Sequence, residues 1–153
     1  MRSGVQVRLA ATRDRRAIAD CDPRVASDLQ RRERIDAAIA ARNCWVGEYN
    51  KAIAGYGVLS TSFFGRDFIE LVHVAENMRR LGVGDALLET IERARHADRL
   101  FTSTNESNAP MRALLKKRSY EPSGEIQNLD ADDAELIFVK FTGRAETLRA
   151  GSG

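Results

Sequence analysis

Arg79-Arg80-Leu81-Gly82-Val83-Gly84 is the stretch of this sequence best equipped to hold an anion. Residues 68–74 before it are apolar at almost every position and read as a strand. After Gly84, Leu87, Leu88, Ile91 and Ala94 recur at the spacing of one helical face. The six residues therefore stand where a strand hands over to a helix. The first turn of a helix has amides with no carbonyl of its own to donate to, and the helix dipole adds positive potential there. Glycine has no Cβ, so the chain can approach an anion closely and take positive φ. Phosphate suits such a helix start, and Arg79 or Arg80 adds full charge. The dinucleotide fingerprint would need a third glycine at the position of Leu87. The nucleoside-triphosphate loop would need Gly-Lys-Ser/Thr, which the stretch lacks. On its own the hexapeptide reads as readily as a loop with two turn glycines.

Other chemistries find little support. The sequence has two histidines, His73 and His96, and two cysteines, Cys21 and Cys44. None stands at a zinc-ligand spacing, so no metal is expected. Both thiols are expected as reduced, small, buried side chains. With Lys+Arg 24 against Asp+Glu 22 the net charge is +2, which argues against a dedicated nucleic-acid binder. No apolar run approaches the ~20 residues that span a bilayer, and the N-terminus lacks the apolar core of a secretion signal. A cytoplasmic protein without membrane partners is expected. The 153 residues, 43% hydrophobic and 30% charged, suffice for one domain over 1–143, with 144–153 as a flexible tail.

The elements that must position the hexapeptide follow from pattern. Val5–Leu9 alternates with period two, a half-buried strand. Thr12 or Asp14 caps a short helix ending near Asp22-Pro23. A longer helix is expected over 25–41, with Leu29, Ile35, Ala38 and Ile39 as its apolar stripe and Arg31-Arg32-Glu33-Arg34 on its solvent face. A three-strand meander follows: Cys44–Tyr49, then 52–60 or on to 63, then 68–74. Asn50-Lys51 makes the first turn and Gly65-Arg66-Asp67 the second. The third strand is expected to be central and covered on both faces. Farther on, 100–104 reads as a strand and Ala109–Lys117 as a helix with Pro110 in its first turn. Strands over 120–127 and 135–141 close the chain, joined by an acidic loop over 128–134. The class is α+β, a mixed and mostly antiparallel central sheet flanked by about four helices.

In this context Arg79-x-x-Gly82-x-Gly84 resembles the signature of the GNAT superfamily of N-acetyltransferases. The family's next element often reads Asn-x-x-Ala-x-x-Leu-Tyr-x-Lys-x-Gly-Phe. Here Asn108, Leu114, Lys117 and Tyr120 keep the pattern, while Met111, Leu115 and Ser119 depart from it. The likeness runs from about Val5 to Phe141, and the last strand is similar to a bacterial subset of unassigned members. The resemblance implies a GNAT-like fold with a splayed pair of parallel strands. It implies acetyl-CoA as acyl donor and an acetyl group moved to a primary amine of a small molecule or peptide, by direct attack in a ternary complex. The pantetheine arm would pair with the backbone of Val72, His73 and Val74. The pyrophosphate would fall on the N–H groups of Arg80, Leu81, Gly82, Val83, Gly84 and Asp85, with Arg79 in the family's Gln/Arg place. Asn108 matches the family's asparagine near the cofactor arm.

An amine with a pKa of about 10.4 needs a base near neutral pH. Glu70 is the catalytic candidate, four residues before Val74, where many family members carry an acidic residue. Strict alternation puts Glu70 on one strand face with Val72 and Val74, and puts His73 opposite as a packed side chain. The other reading of Glu70 is a strand carboxylate paired with an arginine. A backbone N–H near Val74 would hold the oxyanion. Leu115 stands where the family's general acid, a tyrosine, is expected, but a thiol of pKa about 8.5 leaves as thiolate without full protonation. Tyr120 and Ser107 are expected to be structural. The acidic loop is either a lure for a cationic amine or simply soluble, and Phe63, Phe64 and Phe68 either line an acceptor pocket or join the core. The second reading of the whole chain is a non-catalytic acyl-CoA-binding domain; Leu115 favours it, and Glu70 favours the enzyme. A homodimer is expected only as the commonest oligomer.

Overall fold

Three polar side chains set where helices begin in the computed structural model, which describes residues 4–141. The tail expected over 144–153 lies outside them. Helix α1 spans Arg15–Cys21. Asp22 ends it and accepts from the Arg24 amide, opening α2, Pro23–Ser27, with Pro23 where a missing N–H costs nothing. Asp28 accepts from the Arg31 amide and opens α3, Leu29–Ala40. Asn108 accepts from the Met111 amide at 3.3 Å and opens α5, Ala109–Lys117. Between them α4 runs Val83–Ala94. The single helix expected over 25–41 is thus two, because Asp28 is extended (φ −124, ψ 101) and gives its carboxylate to a cap.

The run at Arg31 is a solvent face only in part: Glu33 and Arg34 are exposed, and Arg31 and Arg32 turn inward. Arg31 donates to Asp22 and Tyr56 and its side chain is only 14% exposed. Arg32 donates to the carbonyls of Val25 and Ala26, and Arg34 pairs with Glu70. The Asp22 carboxylate and open helix-end carbonyls draw the Arg31 and Arg32 guanidinium groups inward, which a count of charges along one helix does not reveal.

Seven strands form one mixed sheet in the order β1-β2-β3-β4-β5-β7-β6. They are β1 Val5–Leu9, β2 Cys44–Tyr49, β3 Ala52–Phe63, β4 Arg66–Val74, β5 Arg99–Asn105, β6 Glu121–Asp130 and β7 Asp133–Phe141. Asn50 and Lys51 both take left-handed φ, 50 and 71, as a two-residue hairpin turn requires. The next turn is Phe64-Gly65 (φ 54 and 73) rather than 65–67, so β3 and β4 are longer than expected. The acidic 128–134 is mostly strand. Asn105 donates to Asp130 at 2.8 Å, and the Ser107 amide and hydroxyl donate to Asp133. These bonds hold the Asp130 and Asp133 carboxylates to the sheet, while Glu121, Glu125 and Asp132 are exposed. Strand β4 lies inside the sheet as expected, but Glu70 to Val74 are half-buried rather than covered on both faces. Its parallel ladder with β5 is two positions long, Phe68 with Phe101 and Ile69 with Thr102.

The described chain divides into two compact units. The first draws on Met1–Ser60 and Glu70–Ala94. On one sheet face Ile18, Cys21, Val25, Ile35 and Ala38 of α1–α3 pack against Cys44, Val46, Tyr56 and Val58. On the other face lies α4. A Cβ at Gly47 would stand 2.7 Å from Val83, and one at Gly57 2.8 Å from Ile91, so these glycines let the helix press onto the strands. Leu87, Leu88 and Ile91 are fully buried there, each contributing about 1.5–3 kcal/mol. The second unit draws on residues 61–69 and 95–141 of the described chain. In it Phe63 stacks on Phe68 at 5.1 Å and meets Phe101 at 5.3 Å, while Phe64 at the turn is 88% exposed. Leu115 and Tyr120 are buried in this unit. Among the described residues no helix is long and apolar enough to cross a membrane.

Candidate functional site

At Val74 the chain leaves β4, makes a short 3-10 turn over Glu76–Met78, and reverses into α4. Two residues with positive φ make the reversal: Arg80 at 67 and Gly82 at 91. An L side chain is strained at the second, which is why glycine stands there. The Ala86 amide donates to the Gly82 carbonyl at 3.1 Å. The amides of Val83 and Gly84 come before that bond and have no carbonyl of their own helix to meet. Leu81 is half-buried and Val83 buried, anchoring the turn, while Arg79 and Arg80 are exposed. Arg79 Nε lies 3.5 Å from the Val74 carbonyl, so its guanidinium folds back along the end of β4. Asp85 sits in the first turn of α4, where the dipole favours a carboxylate.

Side chains along β4 do not follow the alternation expected of them. A Cβ on Gly57 would stand 3.7 Å from Val72 Cγ2, and one on Gly55 3.3 Å from Val74 Cγ2, on the face that carries α4. Glu70 instead reaches the other side, where Arg34 Nε of α3 lies 3.3 Å from its carboxylate. Leu71 packs against the α1–α3 core on that same side. Glu70 therefore does not share a face with Val72 and Val74. His73 is not opposite it, for the His73 ring also points to α1–α3, 6.2 Å from the Tyr56 ring. Neighbours Glu70 and Leu71 both reach the α1–α3 side, which period-two counting forbids.

Around His73 is a buried charged group that pattern reading missed. Asp22 is 0% exposed. Its carboxylate accepts from Tyr56 Oη at 2.5 Å, from Arg31 Nε at 2.8 Å and from the Arg24 amide at 3.1 Å. Burial pushes its pKa up, but the Tyr56 hydrogen bond and the Arg31 charge outweigh it and hold the carboxyl below the usual range. His73 Nε2 lies 3.1 Å from the Cys21 carbonyl and 3.9 Å from Asp22. Burial lowers its pKa more than Asp22 raises it. Both cysteines are free and buried, as expected. Burial pushes the Cys21 thiol up to about 11, so it is no nucleophile at neutral pH. The one signal in sequence was Asp22-Pro23, which reads as the end of the first short helix and says nothing of Arg31 or Tyr56.

The model of the acetyltransferase (GNAT) family matches residues 13–120. The chain belongs to that family. A GNAT-family acetyltransferase from Bacillus cereus is 30% identical, with a TM-score of 0.84 over 90% of this chain and 97% of its own. The yncA protein of Salmonella typhimurium, solved with its cofactor acetyl-CoA, is 16% identical with a TM-score of 0.72 over 91% and 94%. Naa50 of Arabidopsis thaliana, in complex with the bisubstrate analogue CoA-Ac-MVNAL, is 18% identical with a TM-score of 0.67 over 91% and 99%. At these identities the last two share the fold alone. Among curated proteins, none matches the sequence. The architecture is accordingly the GNAT α+β fold, a seven-stranded mixed sheet with the β4–β5 parallel pair and five flanking helices. Its signature residues Arg79, Gly82 and Gly84 form the reversal before α4. Asn108, in the second unit, spends its Oδ1 on the α5 cap. Leu115, at the family's tyrosine position, is 1% exposed.

Proposed function

We propose that the chain is one acyltransferase domain that binds acetyl-CoA through residues 79–85 and moves its acetyl group to a primary amine of a small molecule or peptide. The observation that carries this reading is the start of α4, where Arg80 and Gly82 at positive φ present helix amides ahead of the first intrahelical bond. The exposed Arg79 and Arg80 add the charge that a pyrophosphate requires. The backbone of Val72, His73 and Val74 serves the pantetheine arm as an added strand would be served. Two solved neighbours carrying acetyl-CoA or a CoA–peptide analogue support the ligand.

Bound acetyl-CoA supplies the thioester carbonyl that the amine attacks. Glu70 takes one proton from the ammonium nitrogen and passes it to solvent. The Val74 amide is the donor for the developing oxyanion. As the C–N bond forms and the C–S bond breaks, the nitrogen's second surplus proton goes to the departing thiolate. That balance needs no acid at Leu115. A second reading has one observation in its favour: Leu115 is buried and has no proton to give, as in a domain that binds acyl-CoA without turning it over. Thiol release from acetyl-CoA with lysine, spermidine, tyramine and an Ala-Ala dipeptide separates them. Steady release with one amine supports transfer. Binding without release from any amine establishes the second reading, and no binding overturns both.

Gly82→Val tests the cradle. At φ 91 a valine is strained, and its Cβ crowds the approach to the amides. Affinity for acetyl-CoA is expected to fall at least about tenfold, roughly 1.4 kcal/mol, with circular dichroism unchanged. Wild-type affinity by calorimetry would exclude this loop as the phosphate site.

A further inference from the structure

We infer that the acceptor amine enters a pocket on the α1–α3 side of β4, where His73 Nδ1 receives one of its N–H groups. The inference rests on the transfer reading above and deepens it by naming an acceptor-orienting residue. The pocket has a volume of about 600 Å³ and lies wholly within the first unit. Asp20, Cys21 and Pro23 line it from the α1–α2 junction, and His73, Ala75 and Asn77 from β4 and the turn that follows. Its size falls among small-molecule sites, which run to about 300–1,000 Å³. It opens on the side of the strand to which the Glu70 carboxylate turns.

The chemistry of the ring follows from its one hydrogen bond. Nε2 lies 3.1 Å from the Cys21 carbonyl. A carbonyl only accepts, so Nε2 carries the proton and the neutral ring keeps its lone pair on Nδ1. Among the described residues nothing donates to Nδ1. The charged groups around the ring are Asp22 from the α1–α2 junction, Arg31 from α3, and Arg79 and Glu76 after β4, with the Tyr56 hydroxyl from β3. Asp22 is committed to Arg31 and Tyr56. The exposed pocket charges are Asp20, Arg24 and Glu76, with Arg79 assigned to the pyrophosphate. The small acidic excess they leave draws any cation and does not fix where its nitrogen stands. An unshared lone pair on a half-buried ring does: it attracts one N–H of an ammonium and fixes where the nitrogen stands, leaving another proton for Glu70. Burial also keeps the ring neutral at pH 7, since it lowers the pKa from 6.5.

Two substitutions divide the ring's two nitrogens. His73→Asn places an amide oxygen near the position of Nδ1 and drops the bond to Cys21. His73→Gln places an amide nitrogen near the position of Nε2 and drops the acceptor. With spermidine, or whichever of the four amines releases thiol fastest, Gln is expected to raise the amine KM at least about tenfold, the loss of one charge-assisted hydrogen bond. Acetyl-CoA affinity and melting temperature should stay near wild type, and Asn should keep the amine KM within about threefold. The reverse pattern, Asn impaired and Gln normal, makes His73 a pin for the α1–α2 junction and overturns the inference. Nitrogen-15 spectra of the ring give a readout that needs no acceptor. They should show the Nε2–H tautomer at pH 7 and a titration midpoint below 6.5. An Nδ1–H tautomer overturns the inference even if every amine is inert, whereas inert amines with the expected tautomer count against acyl transfer instead.

Discussion

Glu70→Gln is expected to lower kcat by about 10²–10⁴-fold while acetyl-CoA affinity stays near wild type. A base acts in the transition state, so its loss should leave ground-state binding of the acyl donor intact. Activity of the Gln variant should recover partly at high pH, where the acceptor amine is already deprotonated. The structure supplies the rival explanation, since Arg34 lies 3.3 Å from this carboxylate. Magnitudes separate the two. The Arg34 side chain is 53% exposed and that of Glu70 16%, and exposed pairs contribute about 0–1 kcal/mol. Gln also retains an oxygen for Arg34 to meet. A structural role thus predicts a small drop in melting temperature and normal turnover per folded molecule. Melting temperature, donor affinity and kcat measured on one preparation decide the matter, and a destabilised variant with normal kcat removes Glu70 from the mechanism.

Asp22→Ala is expected to destabilise the protein by about 3–5 kcal/mol. Asp22 is 0% exposed and satisfies three donors at once: Tyr56, Arg31 and the Arg24 amide. Removing the carboxylate leaves the Arg31 charge uncompensated at 14% exposure and takes the cap from α2, itself worth about 1 kcal/mol. Asp22→Asn keeps one oxygen, for the α2 cap at the Oδ1 place or for Tyr56 at the Oδ2 place, and should cost less than the alanine. The carboxyl is held below the usual range when folded. Its stabilisation is therefore present above the unfolded pKa of about 3.9 and is lost as pH falls from there through the folded value. Wild type should lose stability through that acid window, and Asp22→Asn should show less of this slope. Urea titrations at pH 7 and across the acid range measure both effects. A cost below about 1 kcal/mol for Asp22→Ala would mean that the network does not hold α1–α3 to the sheet.

Elements whose cause lies between near neighbours were legible from residue types alone. Asn50-Lys51 forms the turn expected between its two strand patterns: Asn50 tolerates left-handed φ by itself, while Lys51 at φ 71 takes it less readily than the usual glycine and is held there by the hairpin. The handover from β4 to α4 is legible for the same reason: Arg79, Gly82 and Gly84 lie within six residues, and their spacing encodes the reversal and a helix start with open amides. Pro110 after Asn108 likewise opens α5 where expected. Phe64-Gly65 and the acidic hairpin were harder, since partners such as Ser107 and Asn105 decide how far β6 and β7 extend.

Only the tertiary structure decided which side of β4 each side chain reaches. Alternation holds along an undistorted strand, yet Glu70 and Leu71, consecutive residues, both turn toward α1–α3. That choice is made by Arg34 and by the apolar packing around Ile35, thirty and more residues earlier, and leaves no period in the sequence around it. Asp22, Arg31 and Tyr56 are the same case in stronger form. They sit in a helix junction, a helix and a strand, and alone they read as a helix end, a solvated arginine and one residue of a strand. Only the fold brings them within hydrogen-bonding distance, where exclusion of water makes a single carboxylate the shared partner of a cation, a hydroxyl and an amide. The reversal at residues 79–85 was therefore written locally in the chain, while the buried network beside His73 forms only where the fold brings its distant members together.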